Sequence, residues 1–464
     1  MRTPWMSMAL AVLVACGGDD DGAGGGDGGP DGDAATDLVD VPITVLRPLD
    51  VLFVVDDSAT MVQEQAALAA AFPSFVDALT DTDELVDLHV GFASSNLGTA
   101  PAGSGGTGCV GEGDEGHLLV APTCPALTSD EPFVEHRVAG DGEAEGNYTG
   151  QLAEQLQCMA QLGTDGCGFE QHLESMKRAL ENDVENAGFL RSKANLAVIV
   201  LADEDDCSVS DRALFITQPG GDTRASPLGE LSSFRCFEFG VACAEDRDGE
   251  RELGERSGCA PDDQSDYVEP IGTYADFLSG LKGGRHRVAV ATIVGDVEPV
   301  TVGIEVERNE LWVEPECMVC PGGAADGCTT AEALVAAAPA IRLHALADRF
   351  SGRSQVEDIC AYDRGSDALD YAAALGRIGE RLRIDGGTRC LESAPADRDP
   401  GTAGVQPLCE VLEDGEAIPS CGELSAPCWY LAHAPECDGS ETALVVDRGE
   451  SAPGDSLTLR CAAP

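Results

Sequence analysis

Two short acidic strings carry the residues best suited to chemistry. Asp56-Asp57-Ser58-Ala59-Thr60 follows the apolar run Val51–Val55, and Asp203-Glu204-Asp205-Asp206 follows Leu196–Ala202. A carboxylate and two hydroxyls at alternating positions, facing a second carboxylate, make an all-oxygen nest for a hard divalent cation. Mg²⁺ or Ca²⁺ suits such ligands, with Mn²⁺ a further candidate, and an incomplete protein cage leaves positions for water or for a ligand's carboxylate. On this reading Asp56, Ser58, Thr60 and Asp203 are the ligands. Asp57, Glu204, Asp205 and Asp206 belong to the same acidic face and turn toward the same ion. The competing reading is that Ser58 or Asp57 caps the next helix, as such residues often do.

Other constellations are thin. The seven histidines show no metal-ligand spacing, and no Gly-x-Ser-x-Gly elbow or His-Glu-x-x-His appears. Cys317 and Cys320, with Cys328, lack the second pair that a zinc site needs, so disulfides are expected there. The chain reads as a binding protein and not an enzyme.

The elements that must position the acidic strings alternate. Short continuous apolar runs at Asp50–Val55 and Asn195–Ala202 read as strands buried on both faces, and Leu85–Ser94 and Arg287–Val294 read as further strands. Helical patterns lie between or after them, at Met61–Leu79, Gln151–Leu162, Phe169–Glu185, Tyr274–Leu281 and Asp367–Leu382. Strands separated by helices predict parallel crossovers and an α/β sheet covered on both faces. In such sheets ligands gather beyond the carboxyl ends of the strands, where both acidic strings fall.

The pair of strings in this setting resembles the von Willebrand factor A-type (vWA) domain. Asp56-Asp57-Ser58-Ala59-Thr60 looks like the Asp-x-Ser-x-Ser signature of that family's metal-ion-dependent adhesion site (MIDAS), with Thr60 in place of the last serine. Asp203 stands where its last metal-site aspartate belongs. The resemblance implies a doubly wound, mostly parallel sheet of about six strands with one antiparallel strand at an edge. It also implies a divalent ion held by Asp56, Ser58 and Thr60, with Asp203 contributing directly or through water. The family's middle-loop threonine has no obvious counterpart; within Gly163–Gln171 either Thr164 or Glu170 is the candidate substitute.

The vWA-like region spans 45–387, interrupted by insertions at 98–150, 207–269 and 298–339. Each insertion carries cysteines and follows a strand, so the three are expected to emerge near the acidic strings and form a collar around them; plain surface decoration is the alternative. Residues 388–464 hold six cysteines and the alternating run Thr442–Asp447, which predicts a small β module stapled by three disulfides.

The N-terminus places the chain in a compartment. Arg2 and the apolar run Met6–Ala15 have the length of a signal-peptide core (residues 1–15) and are too short to span a bilayer. Leu13-Val14-Ala15-Cys16 resembles the lipobox of bacterial lipoproteins, which implies cleavage before Cys16 and acylation of it. Residues 16–44 come next as lipidated cysteine and tether, and their Gly/Asp tract Gly17–Asp37 would extend about 25 Å or more. With Cys16 set aside, eighteen of the nineteen cysteines remain, an even number fit for disulfides in an exported protein. The order of lipobox, tether, A-type domain and Cys-rich tail resembles lipoproteins abundant in myxobacteria and their relatives. A cell-envelope location, anchored in a membrane through Cys16, is expected, and Gly17 after that cysteine favours the outer membrane or cell surface. Finally, 28 basic against 83 acidic side chains give a net charge of −55. Phosphates are repelled by such a chain, which excludes nucleic acid and leaves an extracellular or envelope protein or polysaccharide as partner. A structural envelope component, with assembly through the A-type fold and no metal dependence, is the alternative.

Overall fold

The computed structural model describes residues 38–462 apart from 47, 81–86, 101–108, 110, 139–142, 246–250, 307–308, 321–334, 364–367, 386, 399–406, 422–425, 436, 438 and 449–455. The expected signal segment, Cys16, the tether through Asp37 and Cys328 lie outside them.

Four apolar or half-apolar segments and one polar edge segment make the parallel part of a mixed central sheet: β1 (Pro48–Val55), β2 (Asp87–Ser94), β5 (Asn195–Leu201), β6 (Val288–Val294) and the polar β7 (Ser354–Asp358). Two antiparallel strands, β3 (Val134–Val138) and β4 (Ala144–Gly146), extend it, giving the order β7-β6-β5-β1-β2-β3-β4. Both antiparallel strands come from the segment 98–150, which sequence patterning places wholly outside the sheet. The sheet therefore has one more strand than the family resemblance implies, and two antiparallel strands instead of one.

Helices lie on both faces because the buried strands point alternate residues each way. Val51, Phe53 and Val55 share one core with α1 (Val62–Thr80), α2 (Leu152–Met159) and α7 (Ala372–Asp385). Leu52 and Val54 share the other with α3 (His172–Glu181), α5 (Ile271–Leu281) and α6 (Ile341–Asp348). Phe53 anchors the first core, stacked on Phe92 at 5.0 Å and edge-on to Phe72 at 5.3 Å. A buried ionic knot closes the amino-terminal ends of the strands. Lys282 Nζ donates to Asp50 Oδ2 at 3.1 Å, and Arg191 Nε to Asp50 Oδ1 at 2.7 Å.

The six C-terminal cysteines pair among themselves, as Cys390–Cys437, Cys409–Cys461 and Cys421–Cys428. They brace two four-stranded sheets around a shared core that includes Val411, Leu459, Trp429 and Leu444. Residues assigned by composition to the end of the tether complete these sheets. Leu38–Asp40 pairs with Leu457–Ala462, and Ile43–Leu46 pairs with Thr388–Leu391. Alternating apolar residues Val41, Ile43 and Val45 supply the strand pattern that the preceding Gly/Asp tract lacks. No helix among the described residues is long and apolar enough to cross a membrane.

Candidate metal centre

Parallel pairing of β1 with β5 puts Val55 opposite Leu201, so the two acidic strings leave the sheet side by side. The Asp56 amide donates to the Leu201 carbonyl at 2.9 Å, which ties the first loop to the strand that carries the second. Asp56 is fully buried; its Oδ1 accepts the Ser58 amide at 2.7 Å. Ser58 Oγ lies 3.2 Å from Thr60 Oγ1, and the Thr60 hydroxyl hydrogen-bonds Asp203. Helix α1 begins only at Val62, and the Ser58 carbonyl, not its side chain, accepts the Met61 amide. The capping alternative for Ser58 is thus not realised.

A third loop completes the cluster. Gln65 on α1 donates to both the Asp56 and Gly163 carbonyls, at 2.7 and 2.8 Å, and so clamps the middle loop against the first. Gly166 donates to the Asp57 carbonyl at 2.8 Å, in a contact so close that a Cβ there would sit 2.3 Å from Asp57 Oδ1. The disulfide Cys109–Cys167 pins the same loop to the first insertion. This path carries Glu170 into the interior, where the Cys207 amide donates to its carbonyl at 2.7 Å. Of the two middle-loop candidates, Glu170 lines a cavity with Thr60 and Asp203. Thr164 is half-buried and makes no hydrogen bond to any of these residues among those described.

The electrostatics are those of a crowded acidic pocket. Asp56 Oδ2, Glu170 Oε1, Asp203 Oδ1 and Glu64 Oε2 are all buried without a hydrogen-bond partner. Burial, then repulsion from Glu204 and Asp56, holds the Glu170 carboxyl well above its ordinary range. Asp203 is raised by burial, then by Asp56 and Glu204. Glu64 is pushed up to about 7, mainly by burial and secondarily by Asp56. Asp57 also reaches about 7, from burial and the charges of Asp56 and Asp114. Buried polar groups are ordinarily paired, and a buried anion without a partner is costly. Four such oxygens on charge-coupled side chains fit a hard cation, as the donor set of carboxylates and hydroxyls does.

Two parts of the arrangement were not visible in the sequence. His172, wholly buried at the start of α3, holds its Nε2 3.4 Å from Asp56 Oδ2. Burial opposes its charge, but Asp56 beside it outweighs that, and the net direction is upward. Glu64 and Gln65 belong to the first turn of α1, where their polar character reads as ordinary helix surface. Conversely, not every acid in the strings faces the cluster. Asp205 accepts the Arg342 and Leu343 amides and so caps α6. Asp206 accepts the Leu173 amide at 2.9 Å and pairs with buried Arg342 at 3.1 Å. Their side chains are committed to helix ends, which corrects the expectation that the whole second string faces a cation.

The cavity above the acids has a volume of about 270 Å³. One wall comes from α4 (Phe234–Gly240) in the 207–269 insertion through Phe234 and Phe237, the other from the 298–339 insertion through Trp312, Val313 and Met318. Cys207–Cys236 and Cys317–Cys360 fasten these walls to the acidic loop and to the end of β7, so Cys317 is a disulfide partner and not a zinc ligand.

No family model matches the chain, and no curated protein does. Among solved structures it is similar to a von Willebrand factor type A protein from Catenulispora acidiphila, at 10% identity over 92% of this chain and 66% of that one, with a TM-score of 0.28. It is also similar to the pilus adhesin SpaC from Lactobacillus rhamnosus GG in its open conformation, at 10% identity over 90% and 38% of the two chains, TM-score 0.30. The pilus adhesin RrgA from Streptococcus pneumoniae matches at 10% identity over 91% and 58%, TM-score 0.27. The chain spans less than two thirds of the length of each of these three.

Proposed function

We propose that the chain is a surface-anchored lipoprotein, attached through Cys16, whose doubly wound vWA-type body binds an extracellular protein or polysaccharide through a MIDAS-like divalent-cation site. Asp56, Ser58, Thr60 and Asp203 would hold Mg²⁺, Ca²⁺ or Mn²⁺, with Glu170 in the place where the family uses a threonine. The observation that carries this reading is the set of buried carboxylate oxygens on Asp56, Glu170 and Asp203 that accept no hydrogen bond, with His172 Nε2 3.4 Å from the Asp56 one. A bound cation supplies one thing here: an open coordination position for an oxygen of the partner. The protein's own residues do the rest. Gln65 and the Cys109–Cys167 disulfide set the spacing of the loops, and His172 orients Asp56. A binding role is favoured over catalysis because the buried imidazole addresses a carboxylate and not a hydroxyl nucleophile.

Calorimetric titration with each ion, and Mn²⁺ electron paramagnetic resonance, test the proposal on the intact chain and on Asp56→Ala. Binding by the wild type that the variant abolishes is the expected result. A wild type that takes up none of the three ions, or a variant that binds as well, sinks it.

A further inference from the structure

The cavity joins two kinds of surface that seldom meet. Its floor is Thr60, Glu170 and the Asp203–Asp206 string, and its walls are Phe234, Phe237, Trp312, Val313, Pro315 and Met318. Trp312 and Met318 are two of the eleven large apolar side chains exposed among the described residues, at 36% and 63%, and both stand on this one cleft. Exposed apolar surface beside a polar floor marks a recognition site more often than chance.

The walls select the ligand class. Among the described residues, Ser233 and the Trp312 indole are the only wall side chains that offer an ordinary hydrogen-bonding group. A sugar residue between the walls would find partners only on the acidic floor, and its wall-facing hydroxyls would go unpaired, which is unfavourable. An apolar side chain would lose nothing and would cover Trp312 and Met318. About 270 Å³ is room for one or two side chains, below the usual ~300–1,000 Å³ of small-molecule sites.

Resting on the metal-dependent reading above, we propose that the partner is a protein segment that presents a carboxylate with a large apolar side chain within two residues of it. The carboxylate goes to the cation position over Asp203, and the apolar side chain enters the cleft between the two disulfide-tied insertions. Specificity then belongs to the insertions, and the α/β body supplies only the shared acidic floor.

Affinity selection of displayed random heptapeptides on the intact chain, with Mg²⁺ and separately with EDTA, tests this. Mg²⁺-dependent enrichment of Asp or Glu flanked by Phe, Leu, Met or Trp is expected. Trp312→Ala, a change at an exposed position, weakens the enriched peptides by roughly tenfold or more and erases the apolar preference while leaving the acidic one. Met318→Ser gives the same result in milder form and guards against misfolding of the first variant. Acidic peptides without an apolar neighbour, or an apolar preference unchanged in both variants, overturn the subsite and leave the metal reading standing. The same motif enriched equally in EDTA overturns the metal reading and leaves the subsite. Enrichment of basic peptides, binding of an oligouronate in place of peptides, or no enrichment at all overturns the proposal.

Discussion

Replacing Asp203 by Asn removes one negative charge from a buried cluster while keeping the side chain's shape. In wild type, Asp203 is repelled by Asp56, Glu204 and Glu64, and its Oδ1 has no hydrogen-bond partner. Without metal, the variant relieves that repulsion, so its melting temperature in EDTA should equal or exceed that of wild type. With metal the order reverses. For an exported site of Kd ~10⁻⁴ M and a cation at about 10 mM, linkage stabilises the folded wild type by about 2.7 kcal/mol. In a body of this size that is about 3–5 °C in melting temperature. Loss of one charged ligand that weakens binding ~100-fold would cut the gain to about 0.4 kcal/mol, under 1 °C. Differential scanning calorimetry of both proteins, in EDTA and in Mg²⁺, Ca²⁺ or Mn²⁺, reads all four values. A residue with only a structural role gives the opposite signature: a lower melting temperature in EDTA and an undiminished metal increment. Either that signature, or a wild type indifferent to all three ions, refutes the reasoning.

Three further outcomes are expected from separate parts of the molecule. Lys282→Met deletes a buried cation but leaves Arg191 on Asp50, so a loss of about 3 kcal/mol in urea unfolding is expected, at the low end for breaking a buried pair; a loss under about 1 kcal/mol contradicts it. Gly166→Ala drives a Cβ into Asp57 and should destabilise by about 1–3 kcal/mol while weakening cation uptake, read by calorimetry, with the C-terminal sheets intact by near-ultraviolet circular dichroism. His286, beside Tyr430, is held down to about 4 by burial and then by Arg353 and Arg287. Its folded value is depressed below the ordinary 6.5, so its contribution is intact above pH 6.5 and lost as pH falls toward 4. His286→Gln should flatten the stability–pH curve in that window alone, and parallel curves for the two proteins would exclude it.

The sequence showed the sheet where both faces of a strand are buried. Val51–Val55, Leu196–Leu201 and Val288–Val294 are continuous apolar runs because neither side meets water. β7 escaped notice because Ser354-Gln355-Val356-Glu357-Asp358 is a polar edge strand, recruited by β6 through backbone pairing. Helix α1 falls where the sequence pattern puts it; Leu68, Ala69, Phe72 and Phe75 form its buried face, while Ala66 and Ala70 are exposed. At the site, Asp56, Ser58, Thr60 and Asp203 were legible because adjacent parallel strands end together. The choice between Thr164 and Glu170 was not, since it depends on a loop path set by Gln65, Gly166 and a disulfide far apart in sequence. His172 gave no signal, because its meaning lies in a contact with Asp56 across 116 positions that no spacing rule encodes.

The second acidic string shows how a cluster of like charges can be tolerated at all. Four consecutive acids on one flexible loop would spread apart and leave no defined site. Here Asp205 and Asp206 are drawn to the amino-terminal ends of α6 and α3, where helix dipoles favour anions by about 0.3–1 kcal/mol each. Arg342, almost wholly buried, adds its charge to Asp206 and donates to the Glu269 carbonyl, joining the loop to the second insertion. Asp203 is held from the other side, where its carbonyl accepts the Ala338 amide from the third insertion at 2.8 Å. Fixed at both ends, the loop holds Asp203 beside Asp56 and Glu170. The repulsion stored among those three is therefore relieved only by protons or by a cation. The same fastenings hold the two apolar walls, so the acidic floor and the cleft above it are braced by one set of contacts.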